Sequence, residues 1–230
     1  NYRVIMQEKI SELFSSIDAD SVLLATGDLH TDTSFYYFTQ LSQKRQISGF
    51  LVLRKNKKPL LITDPREYGI LRKYRNFSTA LYRSEKELVA LLNKSSGKKI
   101  GIGYQAISLY GYKRLRKMLK GKKFINVSDA LNKVRSTKTN KEIAKIREAC
   151  KISEEIIADV SKNVKDGQSE VEIAKRLDML ALARSEGSAF PTIVASGRNS
   201  ATPHHIPGSA KLRKGDILLI DFGVVYDGYC

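Results

Sequence analysis

The sequence predicts an α/β domain over residues 1–128, followed by an α+β segment over residues 129–230. Short apolar runs alternate with helical patterns throughout the first part, and two long helices precede two apolar runs in the second. The charge changes at the same place. The first part has 24 basic and 10 acidic residues, a net charge of +14, whereas the second has 16 and 14, a net charge of +2. Pattern and charge together predict a domain boundary at residue 128.

The first part opens with a helix, a strand and a hairpin. Apolar residues at helical spacing predict a helix over residues 4–17, and the apolar run 21–25 predicts a strand. The aromatic cluster 35–38 fits either a short helix or a short strand. Two further apolar runs, 47–53 and 60–63, are joined by a polar segment with a proline, which predicts a hairpin.

The alternation then continues to the end of the first part. The predicted helices cover residues 67–75, 84–94 and 108–120, and the predicted strands cover 79–82, 100–103 and 124–127. Gly101 and Gly103 lack a third glycine, because Ala106 stands at its place, so a dinucleotide-binding site is excluded. Residues 129–138 are interpreted as the connection between the domains.

Two capping boxes mark the helices of the second part. Thr139 with Glu142 opens one helix, and Ser169 with Glu172 opens the next, because each hydroxyl can accept from a free backbone N–H while the glutamate reaches back. Glycines end both helices, as is common at helix C-termini. Residues 193–195 and 217–220 predict two strands, the second of them purely aliphatic and typical of a buried strand.

The candidate functional residues lie around these last strands. Asp221 stands at the end of the aliphatic run, where a buried carboxylate is costly unless a cation meets it. His204 and His205 precede it in a polar loop, and carboxylate with imidazole can form a metal or acid–base site. Two plainer alternatives stay open: Asp221 could accept hydrogen bonds from backbone N–H groups at the strand end, and the two histidines could simply be solvated residues of a loop. A kinase is excluded, because nothing before Asp-Phe-Gly resembles the other kinase motifs.

The longer pattern around these residues is more specific than any single motif. It consists of Phe190-Pro-Thr-Ile-Val-Ala-Ser-Gly, then Pro203-His204, then Gly215-Asp-Ile-Leu-Leu-Ile-Asp221-Phe-Gly and Tyr-Asp-Gly-Tyr-Cys230. This pattern resembles the creatinase/aminopeptidase P/prolidase family of pita-bread metallopeptidases. The resemblance implies a creatinase-like N-terminal domain over 1–128 and the first half of a pita-bread catalytic domain over 129–230.

The resemblance also implies roles for particular residues. Asp221 corresponds to the first of five metal ligands and His204 to the catalytic histidine, while His205, Phe190 and Arg198 are expected to contact the substrate. In the family the other four ligands lie beyond the position of Cys230. We therefore expect the 230 residues by themselves to be incomplete, to bind no metal pair and to be inactive.

The activity that the resemblance implies is metal-dependent exopeptidase hydrolysis of the Xaa-Pro bond, as an Xaa-Pro aminopeptidase or an Xaa-Pro dipeptidase. The substrate would be a proline-containing peptide or dipeptide. Two divalent ions are expected, with manganese favoured over cobalt or zinc because carboxylate ligation suits a hard ion. A homodimer is also expected, in which Asp28 or His30 lies near the active site of the partner subunit; the alternative is a solvated turn.

Two other classes of function share this fold. One comprises metal-free binding modules with histone, nucleic-acid or protein partners, and the other comprises creatinase-like amidinohydrolases. The basic first domain could neutralise phosphates, but a solvated basic face is favoured, so no nucleic-acid partner is expected. Two widely separated cysteines, Cys150 and Cys230, indicate a reducing, cytoplasmic location. No apolar run is long enough to predict a membrane span.

Overall fold

A mixed six-stranded sheet forms the centre of residues 1–137, the first of two units into which the chain divides. The computed structural model describes residues 2–27, 32–42 and 47–230. The strands of the sheet are β1 (Ser21–Thr26), β2 (Gly49–Leu53), β3 (Leu60–Thr63), β4 (Ser78–Leu81), β5 (Lys99–Ile102) and β6 (Lys123–Asn126). Their order is β4-β3-β2-β1-β5-β6. The β1–β2 and β2–β3 pairs are antiparallel, and the other three pairs are parallel.

Helices cover both faces of this sheet. They are α1 (Tyr2–Ser15), α2 (Thr33–Thr39), α3 (Pro65–Leu71), α4 (Glu85–Ser95), α5 (Leu109–Met118) and α6 (Ser128–Ser136). Because side chains alternate along a strand, Val22 and Leu24 of β1 pack in one apolar cluster with residues of α1, α2 and α6. Leu23 and Ala25 pack in a second cluster with residues of α4 and α5. The strand β1 is therefore buried along its whole length, and the predicted α/β class is confirmed.

The aromatic cluster, for which the sequence fits helix or strand, forms the helix α2. Its start is fixed by Asp32, whose Oδ1 accepts a hydrogen bond of 2.8 Å from the N–H of Ser34. Its end is fixed by Gln40, which adopts a left-handed conformation with φ of 59°. Phe35 and Phe38 are then fully buried in the core of the first unit.

The segment interpreted as a connection is instead the helix α6, which packs within the first unit. Leu131 and Val134 join the same core cluster as α1. The buried Nζ of Lys9 donates to the carbonyl oxygens of Val134 and Thr137, at 3.2 and 3.1 Å. The first unit accordingly extends to Thr137, beyond the boundary expected at residue 128. The change in net charge at residue 128 suggested that α6 lies outside this unit, but its contacts with α1 hold it within the unit.

The second unit, residues 138–230, consists of two helices and a two-stranded antiparallel sheet. Its elements are α7 (Asn140–Asn163), α8 (Glu170–Arg184), β7 (Ile193–Ser196), a short 3₁₀ helix (Gly197–Ala201) and β8 (Leu218–Asp221). Both capping boxes form as predicted, and the N–H of Ser169 donates to Glu172 at 2.7 Å. Among the helices described in the two units, none combines the length and apolar character needed to cross a bilayer.

The aliphatic strand β8 was expected to be buried, and this was wrong for one of its faces. Leu218 and Ile220 pack against the core formed by α7 and α8, whereas Leu219 is 38% exposed and Asp221 is exposed. The reason is that the helices cover a single face of the two strands. Asp221 therefore bears no large desolvation penalty in this structure.

Candidate active site

The helix α8 supplies two carboxylates that hold the segments on either side of β7. Glu170 lies in its first turn and binds the segment after β7, while Asp178 lies near its middle and binds the segment before β7. Because a helix is a rigid element, these two side chains fix both loops relative to the strand. The predicted site residues Phe190, Arg198, His204 and His205 all lie in these loops.

Glu170 is 1% exposed and accepts hydrogen bonds through both carboxylate oxygens. Oε1 accepts from the N–H and Oγ of Ser196, at 2.7 and 3.1 Å, and from Nδ2 of Asn199 at 2.9 Å. Oε2 lies 2.7 Å from Nε2 of His205 and accepts from the N–H of Gly208 at 3.2 Å. An ionised carboxylate can only accept, so Nε2 of His205 carries the hydrogen.

These bonds keep Glu170 ionised although it is buried. Burial favours the neutral acid and alone would raise the pKa of the Glu170 carboxyl above its ordinary value of 4.5. Hydrogen bonds from Asn199, His205, Ser196 and Gly208 favour the charged form and outweigh burial, lowering the pKa to about 2. The position in the first turn of α8 also favours a negative charge, because the helix dipole is positive there.

The two adjacent histidines have different surroundings. The imidazole of His205 is turned inward onto Glu170 and its side chain is 18% exposed. His204 is exposed. The expectation that His205 contacts the substrate stays a prediction, because its Nε2 already has a protein partner here. His204, by contrast, presents its imidazole to solvent and is the histidine of the pair that is open to a ligand.

The segment that carries Phe190 is held by hydroxyl groups. Oδ1 of Asp178 accepts from Oγ of Ser188 at 2.7 Å and from Oγ1 of Thr192 at 2.6 Å. Phe190 lies between these two anchors and is 42% exposed. Its ring lies beside Gly223, where an added Cβ would come within 3.4 Å of it. The fold thus presents an aromatic face at the surface on a fixed backbone.

Asp221 lies across from the first residue of β7, with Ile193 as its antiparallel partner. Its side chain is exposed, and among the described residues none donates a hydrogen bond to its carboxylate, so the carboxylate is open to a ligand. Three predicted residues lie next to the short strand β7. Phe190 precedes it, Arg198 follows it as an exposed residue of the 3₁₀ helix, and Asp221 lies opposite its first residue. Asp28 and His30 lie outside the described residues.

Sequence reasoning missed both carboxylates that organise these loops. Glu170 lies inside the capping box of α8, but the motif drew attention to Ser169 and Glu172. Asp178 lies near the middle of the same helix, and the capping box at the start of the helix indicates no role for it. A carboxylate in the first turn of a helix is a signal for Glu170. No local signal indicates what it binds, because its partners are 26 to 38 residues away.

Two family models match the chain. The Creatinase/Prolidase N-terminal domain matches residues 7–137, more than half of the chain, and Metallopeptidase family M24 matches residues 144–230. The chain belongs to the creatinase/prolidase family. The creatinase-like N-terminal domain and the partial pita-bread domain implied by the sequence resemblance are thereby confirmed.

Relatives in this family match nearly all of the chain. An Xaa-Pro dipeptidase of Pyrococcus horikoshii is 27% identical over 230 residues, which cover 98% of this chain and 62% of that protein. The structure of an Xaa-Pro dipeptidase from Bacillus anthracis has a TM-score of 0.86 and 25% identity, covering 98% of this chain and 62% of that one. An X-Pro aminopeptidase structure from Thermotoga maritima has a TM-score of 0.82 and 29% identity, covering 94% and 61%. The chain thus spans 62% of the length of the first two of these relatives.

Membership of a metallopeptidase family implies divalent metal ions. Within the described residues, no group of three or more histidine, cysteine, aspartate or glutamate side chains is placed to hold a metal ion. Asp221 offers a single carboxylate, and a metal pair requires several ligands. Over residues 2–27, 32–42 and 47–230, the side chains therefore do not by themselves make up a metal centre.

Proposed function

We propose that the protein containing this chain is a metal-dependent exopeptidase that hydrolyses the Xaa-Pro bond, as an Xaa-Pro aminopeptidase or an Xaa-Pro dipeptidase. The observation that carries the proposal is the agreement along both units, over 98% of the chain, with a structure named as an Xaa-Pro dipeptidase. The exposed carboxylate at the motif position Asp221 supports it. Substrates would be proline-containing peptides or dipeptides.

The proposed roles follow from what each side chain is free to do. Asp221 would be one metal ligand, because its carboxylate is exposed and accepts no hydrogen bond from the described residues. Manganese is the favoured ion, with cobalt and zinc as the other candidates, since carboxylates suit hard cations. His204 would donate a hydrogen bond to the substrate, because its imidazole is exposed. Phe190 and Arg198 would contact the substrate from either end of β7.

Activity and metal content of the intact protein test this proposal. We expect hydrolysis of an Xaa-Pro dipeptide or of an Xaa-Pro tripeptide, and no hydrolysis of the matched Xaa-Ala peptides. Preference for the dipeptide identifies a dipeptidase, and preference for the tripeptide an aminopeptidase. A protein that contains no metal and cleaves none of these peptides would overturn the proposal and favour a metal-free binding module. Cleavage of creatine in place of peptides would favour an amidinohydrolase.

Two substitutions in the intact protein separate the proposed roles of Asp221 and His204. Asp221→Asn should lose metal and activity together. Asp227→Asn is the control at another exposed carboxylate, which pairs with Nζ of Lys145 at 2.7 Å, and it should keep both. Asparagine suits position 227 because the backbone there is left-handed, with φ of 46°. His204→Ala should keep the metal and lower kcat by about 10²–10³, the usual effect of removing one donor to transition-state charge. Loss of metal in His204→Ala would contradict the proposed role.

We further propose that the intact protein is a homodimer in which Asp28 or His30 lies near the active site of the partner subunit. The proposal rests on the family resemblance of the segment after β1. Light scattering at micromolar concentration tests it, and a monomer would contradict it. A cytoplasmic location is proposed as well, consistent with the two free, exposed cysteines Cys150 and Cys230.

A further inference from the structure

We propose that Glu170 is a positioning residue for His204: its buried carboxylate fixes the loop 197–208 so that the adjacent His205 points inward and His204 points outward. The role of His204 in this inference rests on the proposed peptidase function. The effect of Glu170 on the loop does not depend on that function and is measured separately.

The geometry of the carboxylate supports the proposal. Glu170 binds the end of β7 through Ser196, the 3₁₀ helix through Asn199, and the following loop through His205 and Gly208. A single side chain thus holds the end of β7 and two successive parts of the loop 197–208. It is 1% exposed, so water cannot readily replace these partners, and losing it would leave several donors unpaired.

The local backbone explains how an anchor on His205 controls His204. The N–H of His205 donates to the carbonyl oxygen of Thr202 at 3.2 Å, which closes a turn over residues 202–205. Pro203 occupies the second position of this turn, where its fixed φ is favourable, and His204 occupies the third. His205 therefore secures the turn through its backbone N–H and through Nε2 on Glu170. His204 is left at the exposed tip.

The chemistry of the site predicts that glutamine cannot replace this glutamate. Every partner of Glu170 except the hydroxyl of Ser196 is an N–H donor, and the donors are divided between the two oxygens. A glutamine amide would place its own N–H groups against one set of these donors. Glu170→Gln therefore preserves the size and shape of the side chain and removes about half of its acceptor capacity.

The test compares four forms of the intact protein: wild type, Glu170→Gln, Asn199→Asp and the control Glu172→Gln. Glu172 lies on the same helix, and its Oε2 accepts from the N–H and Oγ of Ser169, both at 2.7 Å. The same oxygen pairs with Nζ of Lys211 at 3.6 Å, outside the loop 197–208. The control thus weakens the capping box of α8 and leaves the loop anchor in place. Asn199→Asp is isosteric and places a second carboxylate beside Oε1 of Glu170. It serves as a milder variant if Glu170→Gln folds poorly.

Amide hydrogen exchange across residues 197–208 is the first measurement. We expect exchange to increase about tenfold or more in Glu170→Gln and in Asn199→Asp, and to stay at the wild-type rate in Glu172→Gln. Steady-state kinetics on an Xaa-Pro peptide is the second. Glu170→Gln should lower kcat with little change in KM and retain its metal, because a misplaced donor loses transition-state contacts.

The outcomes distinguish the positioning role of Glu170 from the proposed peptidase function. Unchanged exchange in both Glu170→Gln and Asn199→Asp, or the same increase in Glu172→Gln, would overturn the positioning role. Increased exchange with unchanged kcat would show that Glu170 anchors the loop but does not position His204 for catalysis, and this would overturn the positioning role. An intact wild type that cleaves no Xaa-Pro peptide would refute the proposed function, and the exchange data would still decide whether Glu170 fixes the loop.

Discussion

The ionised Glu170 predicts a specific dependence of stability on pH. Its pKa is about 2 in the folded protein, against an ordinary value of 4.5. A lowered folded-state pKa stabilises the fold at pH values above 4.5, and this stabilisation is lost as the pH falls through about 2. At 1.36 kcal/mol per pKa unit, Glu170 contributes about 3 kcal/mol to the free energy of unfolding at pH 7 and about 1 kcal/mol at pH 3.

Urea unfolding followed by circular dichroism measures this contribution. Glu170→Gln cannot ionise, so the difference in free energy of unfolding between it and the wild type should narrow by about 2 kcal/mol from pH 7 to pH 3. Any contribution from lost packing does not depend on pH and cancels in this comparison. Glu154→Gln, at an exposed position on α7, is the control and should stay within about 0.5 kcal/mol of wild type at both pH values.

A constant difference between wild type and Glu170→Gln across this pH range would refute the reasoning. It would mean that Glu170 has the same proton affinity in the folded and unfolded states. The hydrogen bonds from Ser196, Asn199, His205 and Gly208 would then not compensate its burial, and the organisation of the loop would need another explanation.

Three further substitutions test the second unit. Leu177→Ala should lower the free energy of unfolding by about 2–5 kcal/mol, because Leu177 is fully buried. Leu182→Ala is the control: Leu182 is 67% exposed on the same helix, and its loss should change the free energy of unfolding by less than about 0.5 kcal/mol. Equal effects of the two substitutions in chemical denaturation would contradict the packing of α8. Ser169→Ala should lower the free energy of unfolding by about 1 kcal/mol, because the helix cap is lost. Hydrogen exchange in the first turn of α8 should then increase, and unchanged exchange would argue against that cap. Asp178→Ala should increase exchange over residues 188–192 and leave the loop 197–208 unchanged; the reverse result would exclude separate anchors on α8.

Much of the fold follows from signals that act over a few residues. The alternation of apolar runs and helical patterns predicted the α/β class, and both capping boxes formed where Thr139 and Ser169 indicated. These signals are reliable because a cap or an amphipathic stripe depends on side chains within about four positions of each other. The long motif from Phe190 to Cys230 also carried the family resemblance, which the family models confirm.

The tertiary structure decided what these local signals leave open. It placed α6 in the first unit, through Lys9 and the core around Leu131, although the charge pattern suggested a boundary before it. It left one face of β8 uncovered, so that Asp221 is exposed rather than buried.

The distinction between His204 and His205 has the same origin. The two residues are identical in type and adjacent in sequence, so only the family resemblance distinguishes their roles, and no local pattern predicts which of them is turned inward. Glu170, 35 residues before His205, binds the second histidine and leaves the first at the tip of the turn. A hydrogen bond across that separation depends on how α8 packs against β7, and packing is a property of the folded chain.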